Sequence, residues 1–237
     1  MDYEFTFLLP CLNEEKSLAY CIKEIKKCIC KNNLKAEILV SDNGSTDNSV
    51  KIAKENGARV EICQEKGYGN VLINGTRKAR GKYCIMGDSD GSYDFLHLDE
   101  FIKYVRNGYD LVVGNRYKGG IEKGAMKLSH KVGVIALSRI ANLFFRTTIR
   151  DYHCGLRAYN TDEIRKLKLS QGGMEYASEM IIMAKIKNLK MIEVPTILRK
   201  DLRERKSHLR TLQDGIRHLT LIFKLFIKQK RYKEIKK

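Results

Sequence analysis

The sequence predicts an α/β domain built on a mainly parallel sheet flanked by helices, with a basic amphipathic helix at its C-terminal end. Three observations carry that expectation. Short apolar runs alternate with helical patterns of about 10–15 residues through the first half of the chain. The runs are almost continuously apolar, as strands buried on both faces must be. Most of them end in small, acidic or turn-forming residues, at the edge where open α/β sheets hold their ligands. The chain has 237 residues, 43% hydrophobic and 31% charged, a balance that supports a core and excludes wholesale disorder. Eighteen Gly and two Pro exclude collagen-like or Pro-rich architecture.

Phe5–Leu9 is the first strand, ended by Pro10, and Glu14–Ile29 has helical spacing through Leu18, Cys21, Ile22, Ile25 and Cys28. Ala36–Val40 is the second strand. Ser45-Thr46-Asp47 then opens a helix that Gly57 stops. Strands at Arg59–Cys63 and Lys82–Met86 flank a helix over Asn70–Ala79, and a helix over Phe95–Arg106 leads to a strand at Asp110–Gly114. Right-handed crossovers follow from the parallel arrangement. In the second half, Lys127–Phe145 reads as a long helix with Ile135, Ile140, Leu143 and Phe144 inward. Leu156–Tyr159 and Met191–Val194 read as strands and Met174–Lys187 as a helix. From Leu209, the apolar positions Leu212, Ile216, Leu219, Phe223 and Phe226 step by three and four, with Arg217, Lys224 and Lys228 on other faces.

The net charge of +17 is concentrated at this end: residues 199–237 hold 14 Lys/Arg against 4 Asp/Glu. Residues 1–198 are therefore expected to form the main domain and 199–237 a basic loop and helix. Such a tail suits an anionic membrane surface, an anionic substrate or nucleic acid; alternatively, the helix packs on the body and its charge faces water. A basic nucleic-acid-binding protein is the distant alternative; against it, and so against nucleic acid as the partner, no recognised binding motif is present and the basic stretch lacks interleaved stacking aromatics. Seven cysteines form no CxxC pair, and the N-terminus lacks the pattern of a signal peptide, so reduced thiols and a cytoplasmic location are expected. No apolar run is long enough to span a bilayer.

Asp88 and Asp90 form a D-x-D directly beyond an apolar strand. On an extended segment both carboxylates project to one side and can share a hard divalent cation, Mg²⁺ or Mn²⁺, with a diphosphate. The same tripeptide also occurs in ordinary turns. Asp42 ends the second strand, where it either receives hydrogen bonds from a base or ribose or caps the following turn. Gly67-Tyr68-Gly69 lacks the third glycine of a dinucleotide fingerprint, and Walker A, G-x-S-x-G and H-E-x-x-H are absent.

Taken in order, LLPCLNEE, VSDNGSTDNS, EKGYGNVLINGTRKARG, MGDSDGSYD, VGNRY and DYHCGLRAY resemble family 2 glycosyltransferases of the GT-A (Rossmann-like) fold. Within them the chain is most similar to the dolichyl-phosphate mannosyltransferase-like, or polyprenyl-phosphate glycosyltransferase, branch. The resemblance covers residues from about Phe5 to about His218. It implies that Pro10, Leu12 and Glu14 border a nucleotide pocket, that Asp42 holds base or ribose, and that Lys66 and Gly67 lie along the donor cleft. Asp88 and Asp90 would bind metal, with Asp90 the direct ligand and Asp88 nearer the ribose and sugar. Arg116 would face an acceptor phosphate. Asp151, Cys154, Gly155 and Arg157 match a D-x-x-C-G-x-R motif near donor sugar and acceptor.

Glu175 and Glu179 fall where relatives place acidic acceptor-loop residues, to orient hydroxyls or act as a base, although Glu179 also fits a solvated helix face. Arg203, Arg205 and Lys206 match a basic loop over the donor diphosphate. Where relatives carry an arginine, this chain offers Lys127 or Lys131, a point charge in place of a fork. The implied reaction is inverting transfer of a hexose from a GDP- or UDP-linked donor to polyprenyl phosphate by a metal-dependent enzyme attached peripherally to the inner face of a membrane. A glycan or polysaccharide precursor is the alternative acceptor.

Overall fold

The computed structural model describes residues 3–203 and 211–235. Strand β1 (Tyr3–Cys11) leads into helix α1 (Leu18–Lys31). The chain then alternates through β2 (Ala36–Asp42), α2 (Ser49–Glu55), β3 (Arg59–Ile62), α3 (Tyr68–Lys78), β4 (Gly81–Met86), α4 (Asp99–Arg106) and β5 (Leu111–Asn115). The second half adds α5 (Arg116–Gly119), α6 (Leu128–Phe145), β6 (Arg157–Asn160), α7 (Thr161–Lys166), α8 (Tyr176–Ile186), β7 (Met191–Pro195) and α9 (Thr211–Ile235).

Seven strands form one sheet in the order β3-β2-β1-β4-β6-β5-β7. All neighbours are parallel except β6, which runs antiparallel to both β4 and β5. The chain winds outward from β1 through β2 to β3, then returns across α3 to place β4 on the other side of β1. That reversal splits the crossover helices between the two faces of the sheet and opens a crevice beyond the carboxyl ends of β1 and β4.

Burial explains the strand sequences. Phe5, Phe7, Leu8 and Leu9 of β1 are completely buried, as are Leu39 and Val40 of β2 and Cys84 and Ile85 of β4. Helix α1 buries Leu18, Cys21, Ile22, Ile25 and Cys28, one stripe at helical spacing. Gly75 of α3 lies against the Leu8 side chain, so the helix approaches β1 more closely than a Cβ would permit. All seven cysteines are free, and only Cys30 is exposed.

Helix α6 departs from its expected orientation. Val134, Ser138, Ala141 and Phe145 face the body, while Leu143 is 77% exposed and Ile135, Ile140 and Phe144 are only partly covered. An apolar helix offers more than one stripe, and packing chose the one carrying small residues. Helix α9 packs on α6 and α8. It buries His218, Leu221 and Ile222, and the Phe226 ring lies 4.6 Å from that of Phe144. Ile216, Phe223 and Ile227, which continue the sequence-level stripe, are exposed. Among the described residues, no helix is long and apolar enough to cross a membrane.

A polar lock fastens α9 to the body. Ser178 Oγ and His218 Nδ1 are 2.8 Å apart, and His153 Nε2 lies 3.3 Å from the same nitrogen. Loss of hydration holds both imidazoles neutral; it depresses His153 well below the ordinary range and His218 to about 4 from 6.5. Folded His218 therefore takes its proton near pH 4, whereas the unfolded chain takes it near 6.5. Stability attributable to this lock is complete above pH 6.5 and declines as pH falls towards 4, by on the order of 3 kcal/mol. Thermal melts from pH 7 to 4 should show a smaller drop in Tm for the double variant His153→Gln/His218→Gln than for the wild type. An equal drop would remove the lock from the account.

Candidate active site

The crevice between β1 and β4 is lined by the segments that follow those strands. Ser89 Oγ donates to the Pro10 carbonyl at 2.6 Å, tying the D-x-D loop to the end of β1. Asp90 is buried, and its Oδ1 accepts from Ser92 N at 2.9 Å, which fixes the turn. Gly91 completes that turn at φ 82°, a conformation glycine adopts without strain. Asp88 is partly buried and its Oδ1 accepts from the Tyr68 hydroxyl at 2.7 Å. Desolvation, and then the charge of Asp90, push its carboxyl up to about 6. Two carboxylates at one strand tip thus repel each other.

Glu14 reaches the same place from the other side. It is buried on the β1–α1 connection, its backbone N–H held by Ser49 Oγ at 2.7 Å. Arg203 spans the gap: Nη2 lies 2.9 Å from Glu14 Oε1 and 3.2 Å from Asp90 Oδ2. Among the described residues no cluster of three or more His, Cys, Asp or Glu side chains has metal-holding geometry. The donor set still fits a hard divalent cation. Asp90 offers a carboxylate whose Oδ2 is held only by the Arg203 guanidinium, and Asp88 adds a second carboxylate.

The motif from Asp151 to Arg157 closes the far wall. A Cβ on Gly155 would lie 2.7 Å from Asp88 Oδ2, so this glycine makes room for the carboxylate. Its N–H donates to the buried Tyr93 hydroxyl at 2.8 Å. Arg116 and Asp151, both buried, form a two-pronged pair: Nε to Oδ2 and Nη2 to Oδ1, each 2.8 Å. Glu193 Oε1 accepts from the backbone of Arg150 and Asp151, holding the loop on β7. Arg157 is completely buried and donates to the Cys154, Tyr152 and Ala177 carbonyls. It braces the motif against α8.

Other expected residues make defined hydrogen bonds within the fold. The Asp42 carboxylate, 1% exposed, accepts from Gly44 N and Ser45 N at 2.9 Å and from Ser45 Oγ. It caps the turn, the second of the two roles open to it. Buried Glu179 accepts from Ser170 N, Ser170 Oγ and Gln171 N, so it anchors a loop and is neither a free base nor on a solvated face. The Gly67 and Gly69 positions admit the backbone of residues 171–173, and Gly69 N donates to Gly172 O at 2.9 Å. Lys66 lies beside them and donates to the Asn43 carbonyl.

Glu175 Oε2 is buried without a hydrogen-bond partner, on the loop that those glycines receive. Pro10 and Leu12 line the mouth beside Glu14, partly exposed. Lys131 is exposed on α6, near Arg116 through the Tyr117 hydroxyl, which contacts the Lys131 carbonyl at 3.3 Å. Arg205 and Lys206 lie outside the described residues. Sequence reasoning missed Tyr68, Tyr93, Asn43 and Glu193. Only Tyr68, flanked by the two glycines, carried a local signal.

Comparison with known proteins places this architecture. A family model described as glycosyl transferase family 2 matches residues 6–167. The chain belongs to that family. A low-salt glycan biosynthesis hexosyltransferase, Agl6, of Haloferax volcanii is 37% identical over 90% of the chain and 51% of its own length, so the chain spans about half of that relative. A dolichyl-phosphate hexose transferase of the same organism is 26% identical over 86% of the chain and 88% of its own length. Glucosyl-3-phosphoglycerate synthase of Mycobacterium tuberculosis, solved with Mn²⁺, UDP-glucose and phosphoglyceric acid, superposes with a TM-score of 0.73. The match covers 94% of the chain and 79% of the synthase at 19% identity, a likeness of fold. The family 2 chain therefore has the GT-A fold.

Proposed function

We propose that the protein transfers a hexose from a nucleoside-diphosphate sugar to a polyprenyl phosphate, with inversion at the anomeric carbon. The observation that carries this reading is the buried Arg116–Asp151 pair, whose guanidinium lies near enough to Asp88 to act on its carboxyl electrostatically. Arg116 keeps its Nη1 group without a hydrogen-bond partner among the described residues, leaving two N–H donors for an anion. Asp90 with Asp88 would hold the divalent cation, which when bound supplies charge to stabilise a departing nucleoside diphosphate.

Residues of the chain do the rest. Glu175, whose buried Oε2 lacks a hydrogen-bond partner, is assigned to the sugar hydroxyls. Arg116 and Lys131 fix the acceptor phosphate. That phosphate is anionic at neutral pH and attacks the anomeric carbon without a strong base, so alignment dominates the rate. The full commitment of Asp151 and Glu179 to other hydrogen bonds supports such base-free attack. The relative named dolichyl-phosphate hexose transferase supports this acceptor class, whereas the glycan-biosynthesis relative favours the alternative, transfer to a glycan hydroxyl. In assays with GDP- and UDP-hexoses and Mn²⁺, Asp90→Asn should lose about 100-fold or more in kcat/KM. Glu175→Gln should lose no more than about tenfold, because no proton is abstracted. Equal collapse of both variants, or turnover with glycan acceptors alone, contradicts phosphate attack.

We further propose peripheral attachment to the cytoplasmic face of a membrane through α9 and α6. Ile216, Phe223 and Ile227 on α9 and Leu128, Val132 and Leu143 on α6 are exposed, with Lys131, Arg139, Arg217, Lys224 and Lys228 exposed on the same two helices. Apolar side chains entering the headgroup boundary and basic ones near anionic lipid each strengthen binding, the latter by about 1 kcal/mol per residue. The protein should co-sediment with vesicles containing phosphatidylserine, less so in high salt, and not with neutral phosphatidylcholine. Salt-insensitive binding to neutral vesicles would contradict the electrostatic contribution.

A further inference from the structure

After β7 the chain does not leave the body. Leu198 bridges Tyr93 and Ile121, Arg199 N donates to Ser92 O at 2.8 Å, and Leu202 N donates to Asp90 O at 2.8 Å. The Leu202 side chain covers Gly91, where a Cβ would lie 2.8 Å from it. Arg199 is pinned in turn by Glu24 and Asp94, at 2.9 and 2.7 Å. Residues 198–203 therefore form a strap laid along the D-x-D loop, registered by backbone hydrogen bonds, and Arg203 is its last described residue.

The guanidinium of Arg203 is delivered between two carboxylates that come from different segments. Its Nε contacts Glu14 Oε2 at 3.1 Å, and its Nη2 contacts both Glu14 Oε1 at 2.9 Å and Asp90 Oδ2 at 3.2 Å. Its side chain is 17% exposed, and those of Glu14 and Asp90 are 5% and 10% exposed, so the charges are largely withdrawn from water and screen one another poorly through solvent. Asp90 Oδ1 is already engaged by Ser92 N. Oδ2 is the remaining oxygen, and it is the oxygen Arg203 holds.

We propose that Arg203 is a built-in competitor for the cation site: it neutralises Asp90 when no metal is present and must give up that oxygen when metal binds. The inference rests on the metal-assisted reading above and goes further, because it couples metal occupancy to the position of the strap. Displaced from Asp90, the guanidinium remains tethered beside the crevice and exchanges a carboxylate for the diphosphate that arrives with the metal, an exchange its planar fork suits better than an ammonium does. Metal alone is then resisted by an existing ion pair, whereas metal with nucleotide is compensated by a new one. Cation binding and donor binding become mutually supportive.

The test is Mn²⁺ binding to the intact protein, followed by the electron paramagnetic resonance signal of free Mn²⁺, with and without GDP or UDP. Without nucleotide, Arg203→Gln should bind Mn²⁺ about fivefold more tightly than the wild type or better, equivalent to about 1 kcal/mol. Arg203→Lys, which keeps the charge but loses the fork, should fall between them and gives the same comparison should the Gln variant not fold. With nucleotide, the advantage should vanish or reverse. A variant that binds Mn²⁺ no more tightly than the wild type in the absence of nucleotide overturns the competition. Mn²⁺ binding to neither protein, with or without nucleotide, overturns the cation site itself and this inference with it.

Discussion

The site is organised by the need to neutralise acidic side chains brought together where the sheet reverses direction. Asp88 and Asp90 leave β4 side by side, and Glu14 approaches from β1. Like charges in a partly dehydrated crevice raise each other's affinity for protons or cations, and Asp88 responds with a carboxyl raised to about 6. Every surrounding element answers that charge. Tyr68 donates to Asp88, Ser92 N donates to Asp90, and Arg203 bridges Asp90 and Glu14.

The rest of the fold can be understood as holding that cluster in place. The reversal between β1 and β4 creates the crevice, and the antiparallel β6 delivers the Asp151–Arg157 motif to its wall. Arg157, buried under the motif, ties three carbonyls from the motif and α8 into one unit. A buried guanidinium with such carbonyl partners costs little relative to one left unpaired, and it makes the loop geometry hard to change. Arg116 is likewise held in one orientation by Asp151.

The sequence disclosed the parallel half of the sheet well, because β1, β2 and β4 are buried on both faces and their apolar runs end at abrupt turns. It disclosed the D-x-D for the same reason. The direction of β6 was not legible, since a four-residue strand has no signature of the strands beside it. The short α5 and α7 escaped notice because each spans too little for periodicity; α7 depends on Asn160 capping Asp162 N and Glu163 N. Residues matched by motif divided according to which of their polar atoms the fold already uses. Asp42, Arg157 and Glu179 carry the chemistry a site needs, but neighbouring backbone groups claim their polar atoms. Leu143 reads as core and faces outward, because an apolar helix offers several stripes and only the tertiary partner selects one.

The central claim, that the tip of β4 holds a cation beneath a nucleoside diphosphate, is tested most directly by anomalous diffraction from crystals grown with Mn²⁺ and GDP or UDP. The account predicts one manganese peak at about 2.0–2.3 Å from a carboxylate oxygen of Asp90, with phosphate oxygens completing its shell. A peak elsewhere with clear nucleotide density, or a nucleotide bound in the crevice with Arg203 still on Asp90 and no metal beside it, would contradict it.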